Sequence, residues 1–153
     1  VELAKAILKA KRVYICGNGG SAANAIHIAN DLISCKIKAY ALTADVATLT
    51  ALANDYAYEQ IFAMQIRAYG EPGDMLLALT GSGKSPNILA AIRAAKEKGV
   101  ETWVMVGEYN GKHPPVALEA DHVIRFGKDM QDAEERQIYM GHKVMRWLKN
   151  SSS

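Results

Sequence analysis

Cysteine is scarce in this 153-residue chain, with only Cys16 and Cys35, set too far apart for a metal-type pair. Two such thiols build neither a disulfide framework nor a thiolate metal centre, and they are expected to stay reduced in the cytoplasm. No apolar stretch approaches the roughly 20 residues of a membrane-spanning helix, and no basic segment leads into a long apolar core as in a secretory leader. The formal net charge of +2 is spread along the chain. Neither nucleic acid nor an anionic membrane therefore has an electrostatic footprint to meet. Repeats, low-complexity tracts and linkers are absent too. What is present is a chain that is 50% hydrophobic, long enough for one globular domain with a sizeable core. Residues 1–150 are read as that domain and 151–153 as a disordered tail.

The apolar pattern alternates between two kinds of element. Residues 1–11 repeat apolar positions at helical spacing, and Val13-Tyr14-Ile15-Cys16 reads as a strand that breaks into Gly17-Asn18-Gly19-Gly20-Ser21 before a helix begins at Ala22. Ala39 to Leu42 is a second strand, followed by a short helix to Ala53 and a longer one over residues 58–69. Breakers at Gly70-Glu71-Pro72-Gly73 precede a buried strand over residues 74–79, and Thr80-Gly81-Ser82-Gly83-Lys84-Ser85 leads into a helix that starts at Pro86 and ends at Gly99. Residues 102–106 and 123–125 are further strands, with an irregular stretch around Pro114-Pro115 between them and a last helix over residues 131–148. Strands separated by helices predict a doubly wound α/β fold, a three-layer αβα sandwich on a five-stranded parallel sheet of order 2-1-3-4-5. Ligands of such sheets bind at the switch point between strands one and three. Both strands end in glycine- and hydroxyl-rich turns that suit an anion at a helix N-terminus.

Neither turn fits a nucleotide. Gly17 to Ala22 satisfies a loose G-x-G-x-x-A pattern, but the acidic partner of a dinucleotide site is represented only by Asp45, beyond the strand tip. Gly83-Lys84-Ser85 resembles the end of a P-loop, but the glycine needed five places earlier is Ala78. No nucleotide cofactor is expected. His27 and Asp31 lie four residues apart on one helix face, about a turn beyond the anion site. Glu134 and His142 stand eight apart on the last helix. Two helices thus each offer a carboxylate and an imidazole, a set suited to acid–base work or to a divalent metal, and spacing alone decides neither.

The stretches GNGGSAANAIHIANDL, ALANDYAYEQ, LTGSGKSPNILAA and EERQIYMGHKVM together resemble the sugar isomerase (SIS) domain family, most closely its phosphoheptose isomerases. The likeness runs from Val13 to Leu148. It implies conversion of sedoheptulose 7-phosphate to D-glycero-D-manno-heptose 7-phosphate for bacterial surface polysaccharide, in a homotetramer with sites between subunits, with zinc bound in many members. It implies that Asn18, Gly19, Gly20 and Ser21 line the substrate pocket, with Asp55 and Glu134. Thr80, Gly81, Ser82 and Ser85 fall on the phosphate loop, and Asp31 and His142 on the proton-transfer groups. His27, Asp31, Glu134 and His142 are the expected metal set, zinc first. The chain departs from the family where Asp31 replaces a Glu, Glu134 a Gln, Gly81 a Thr and Lys84 an Asn. It also lacks an Arg near Cys35, has a shorter loop after it, and lacks most of the N-terminal helix. Lys84 is expected to add positive charge for the phosphate. The alternative is a non-catalytic SIS protein that binds sugar phosphate or regulates replication initiation.

Overall fold

The computed structural model describes residues 1–111 and 113–151. Five strands, β1 (Val13–Gly17), β2 (Ala39–Ala41), β3 (Met75–Thr80), β4 (Glu101–Val106) and β5 (His122–Arg125), form one all-parallel sheet of order β2-β1-β3-β4-β5. Side chains alternate across it because a strand's period is two. Val13, Ile15, Met75, Leu77, Leu79, Trp103 and Met105 enter one core, with α1 (Glu2–Lys9), α2 (Gly20–Ser34) and α7 (Met130–Ser151). Tyr14, Cys16, Leu76, Ala78, Val104 and Val106 enter the other. That second layer holds α3 (Val46–Asp55), α4 (Ala63–Tyr69), α5 (Pro86–Glu97) and α6 (Pro115–Glu119). The three-layer αβα arrangement and its strand order agree with the sequence reading.

Three local expectations are corrected. The helix expected over residues 58–69 splits into a 3-10 turn, Tyr58–Gln60, and α4. Ile61, Phe62 and Ala63 are all buried. Three consecutive buried residues sweep about 200° of a continuous helix, more than one face can bury, so the chain turns there. The stretch after Pro114 forms a helix because Pro115 takes its first turn, where a missing N–H costs nothing. Ser151 belongs to α7, and the rest of the expected tail, residues 152–153, lies outside the described residues.

Register places the site. Gly17 pairs with Leu79, so the loops that follow β1 and β3 leave the sheet side by side at its switch point. Gly19 takes φ 57°, a conformation that favours glycine, and turns the first loop into α2. Asp45, the acidic residue a dinucleotide would require, spends its carboxylate capping α3 on the amides of Ala47 and Thr48 at 3.0 and 3.3 Å.

Candidate active site

The two loops enclose a cleft of about 70 Å³, walled by Asn18 and Ser21 on one side and Thr80, Gly81, Ser82 and Ser85 on the other, with Leu79 and Met130 closing it. The second loop is built to donate. Thr80 Oγ1 accepts the Gly83 amide at 3.1 Å and Ser82 Oγ accepts the Lys84 amide at 3.2 Å. Those bonds occupy oxygen lone pairs and leave each hydroxyl proton for a guest. Ser85 precedes α5 without a side-chain cap bond, so its hydroxyl joins the helix N-terminus in facing an anion. Lys84 is exposed and does not line the cleft.

The first loop is held from behind. Ser21 is 3% exposed, and its hydroxyl is within 3.3 Å of Gln137 Oε1 and accepts from Gln137 Nε2 at 3.2 Å. Asn24 donates to the same Oε1 at 2.8 Å and to the Glu134 carbonyl at 2.9 Å. Gln137, itself 1% exposed, thereby fastens α7 to the head of α2. One turn earlier the Glu134 carboxylate lies directly against Gly20, where a Cβ would collide with it. Gly81 is pinned in a similar way, since a Cβ there would stand 2.6 Å from both Met130 Sδ and Tyr109 Oη. A larger side chain at Gly81 would push the Met130 and Tyr109 side chains aside.

The third constellation is the pair of helices themselves. His27 Nε2 and His142 Nε2 are 3.0 Å apart. Asp31 Oδ2 lies 3.3 Å from the first and 3.5 Å from the second. This carboxylate oxygen is buried and makes no hydrogen bond, while both imidazoles open to the surface. An N–H of one imidazole donated to the other, or a cation held by all three atoms, would each satisfy such a triangle. About 2.05 Å bonds to a tetrahedral zinc put neighbouring ligand atoms about 3.3 Å apart, so the three atoms fit one face of such a site. Glu134 is outside this cluster, which joins His27, Asp31 and His142 alone. The expected four-ligand set is therefore corrected to three.

Two further expectations shift. Asp31 is eleven residues from Gly20 along α2, about 16 Å at 1.5 Å per residue, and His27 about 10 Å. The cluster is two to three turns from the head of the helix, not one. Asp55 ends α3, exposed, accepting from its neighbour Asn54 at 3.1 Å, and does not line the cleft. Sequence reasoning missed Gln137, Asn24, Asn87, Tyr58 and Met130. Gln137 left one signal, as the polar member of the buried stripe Ala133, Gln137, Gly141, Val144 and Leu148.

The SIS domain pattern matches residues 2–107 of the chain. The phosphoheptose isomerase of Rhodospirillum rubrum is 48% identical over 138 residues, covering 86% of this chain and 72% of its own. That of Nitratidesulfovibrio vulgaris is 38% identical over 153 residues, covering 93% and 70%. Among solved structures, a phosphoheptose isomerase from Francisella tularensis superposes with a TM-score of 0.90 at 31% identity, over 97% of this chain and 83% of that one.

Proposed function

Since the chain belongs to the SIS domain family, among the phosphoheptose isomerases, we propose that it is a phosphosugar aldose–ketose isomerase acting on sedoheptulose 7-phosphate. The observation that carries this reading is the cleft, in which hydroxyl protons and the head of α5 converge on space for a phosphate. The Glu134 carboxylate at Gly20 leaves the second loop as the anion site. Isomerisation moves a proton between adjacent carbons and another between their oxygens. A base must remove the first and an acid must serve the neighbouring oxygen. Asp31 Oδ2 is the proton acceptor in this reading and His142 Nε2 the donor, 3.5 Å apart.

His27, Asp31 and His142 are also the residues that would hold one divalent cation, zinc by its liking for imidazole and carboxylate. Bound there, a cation supplies charge to polarise a sugar carbonyl or hydroxyl. Proton transfer and metal ligation draw on the same lone pairs, so elemental analysis of protein purified without chelators decides between them. A metal-free sample with full activity removes the cation.

The distance from loop to cluster favours a homotetramer with sites between subunits. Ile26, Ile33 and Tyr139, on the helices that carry the cluster, are 45%, 56% and 62% exposed. A second copy covering them would bring its own phosphate loop toward these imidazoles. A cytoplasmic location belongs to this reading; among the described residues no helix is long and apolar enough to cross a membrane.

Incubation with sedoheptulose 7-phosphate is expected to yield the aldose. Asp31→Asn and His142→Ala are each expected to lower turnover at least about 100-fold while thermal unfolding stays cooperative. Wild-type protein that binds the sugar phosphate without converting it would favour the binding-protein alternative, and unchanged rates in both variants would reject these two roles.

A further inference from the structure

Asn87 is the second residue of α5, and its side chain is 2% exposed. A buried primary amide is costly unless its donors and acceptors are paired. It is paired with one residue, Asn18 of the opposite loop. Asn87 Nδ2 donates to Asn18 Oδ1 at 2.8 Å, and Asn18 Nδ2 donates back to Asn87 Oδ1 at 2.8 Å. Tyr58 adds its hydroxyl, 3.0 Å from the same Asn18 Oδ1.

Counting groups fixes what Asn18 can offer. Its carbonyl oxygen has two lone pairs, one taken by Asn87 and the other by Tyr58. Its NH₂ has two protons, one given to Asn87. A single N–H remains, on a residue that lines the cleft beside Thr80 and Ser82. We infer that Asn87 is a positioning residue, which holds the Asn18 amide so that this wall of the cleft presents a donor, and only a donor, to an oxygen of the open-chain sugar.

This rests on the isomerase reading and deepens it. As a proton leaves the carbon, negative charge develops on the neighbouring oxygen, and a fixed N–H aimed there acts more strongly in the transition state than in the ground state. A turned amide would present its carbonyl oxygen to the same atom and repel it. The second loop's helix thus controls the chemistry of the first loop through one buried side chain.

Three variants and one spectroscopic measurement test the assignment. Asn87→Ala removes the pairing, Asn87→Leu removes it while keeping the buried volume, and Tyr58→Phe alters only the exposed end of the network. With sedoheptulose 7-phosphate, both Asn87 variants are expected to lose about tenfold or more in kcat, with KM within about threefold. Tyr58→Phe is expected to lose less. Nuclear magnetic resonance of the ¹⁵N-labelled full chain reads the Asn18 side-chain amide directly, assigned from an Asn18→Asp spectrum. In the wild type its protons are expected to be protected from exchange and one to shift with sedoheptulose 7-phosphate but not with inorganic phosphate. Asn87→Leu is expected to lose that protection. Full kcat in Asn87→Leu, or Asn18 protection unchanged in it, overturns the inference. If the wild type turns over no substrate, the isomerase reading fails, and the resonance arm alone still decides whether Asn87 fixes Asn18.

Discussion

At the scale of single residues, chemistry follows from which lone pairs are already spent. Asp31 is informative because its Oδ2 forms no hydrogen bond yet faces two imidazoles, whereas Asp45 is fully used in capping. Sequence spacing paired Asp31 with His27 and set Asp45 aside, but it could not show that Asp31 also faces His142, which stands on a helix more than one hundred residues downstream. Cys16 shows the complementary case of a reactive group silenced by burial. It is fully buried in the sheet, and desolvation pushes its thiol far above the ordinary range, so it stays protonated. Cys35 is half-buried at the end of α2. Native protein is expected to release one equivalent of chromophore from a thiol-exchange reagent, through Cys35, and two equivalents after denaturation. Two in the native state would show that the β1 core opens readily.

At the scale of elements, the strands were legible because alternation across a two-sided sheet leaves long apolar runs. The boundaries of the helices after β2 were not, since burial of Ile61 to Ala63 depends on packing that no local pattern records. Helix α7 is the element whose role was least legible, as the polar contacts that fasten it to the head of α2 join residues over one hundred apart in sequence. Gly20 against Glu134 makes that contact testable. The added methyl of Gly20→Ala meets only the flexible end of Glu134, which must swing aside, so Gly20→Ala is expected to be more favourable in a Glu134→Ala background than in the wild type, by up to about 1 kcal/mol. Equal costs of Gly20→Ala in both backgrounds would show that the two do not meet. The start of α7 also carries a pH dependence. The Lys128 amide, donating to Asp132 at 2.8 Å, holds this carboxyl below its ordinary value near 4, with help from Arg136. A folded pKa below the unfolded one gives stability that is present above the unfolded value and lost as pH falls through the folded one. Asp132→Asn is expected to flatten the fall in melting temperature below about pH 4 and to change little at pH 7. An unaltered acid limb would remove Asp132 as a contributor.

At the scale of the whole molecule, the loop order and the switch point were readable from the chain, but the spacing between loop and imidazoles was not. The sequence shows residue numbers, and only the helix rise turns eleven of them into about 16 Å. That gap is why a site shared between copies is proposed. Complementation tests it. Asp31→Asn and a phosphate-loop double variant, Thr80→Ala with Ser82→Ala, are each expected to be inactive alone. Co-assembled from a denatured mixture, they are expected to regain a measurable fraction of wild-type activity, because some interfaces then pair an intact loop with an intact cluster. No regain in a mixed assembly would place the whole site within one chain.

The long final helix touches the phosphate loop through Met130 and the imidazole pair through His142, with Gln137 clamped between them. One rigid helix thus ties the position of a cleft-wall residue to that of an imidazole. A tilt of about 8° around Gln137 would displace His142 by about 1 Å and Met130 by about 1.5 Å, a misplacement that reaction geometry tolerates poorly. Substitutions that tilt this helix are therefore expected to disturb the cleft wall and the imidazole pair together.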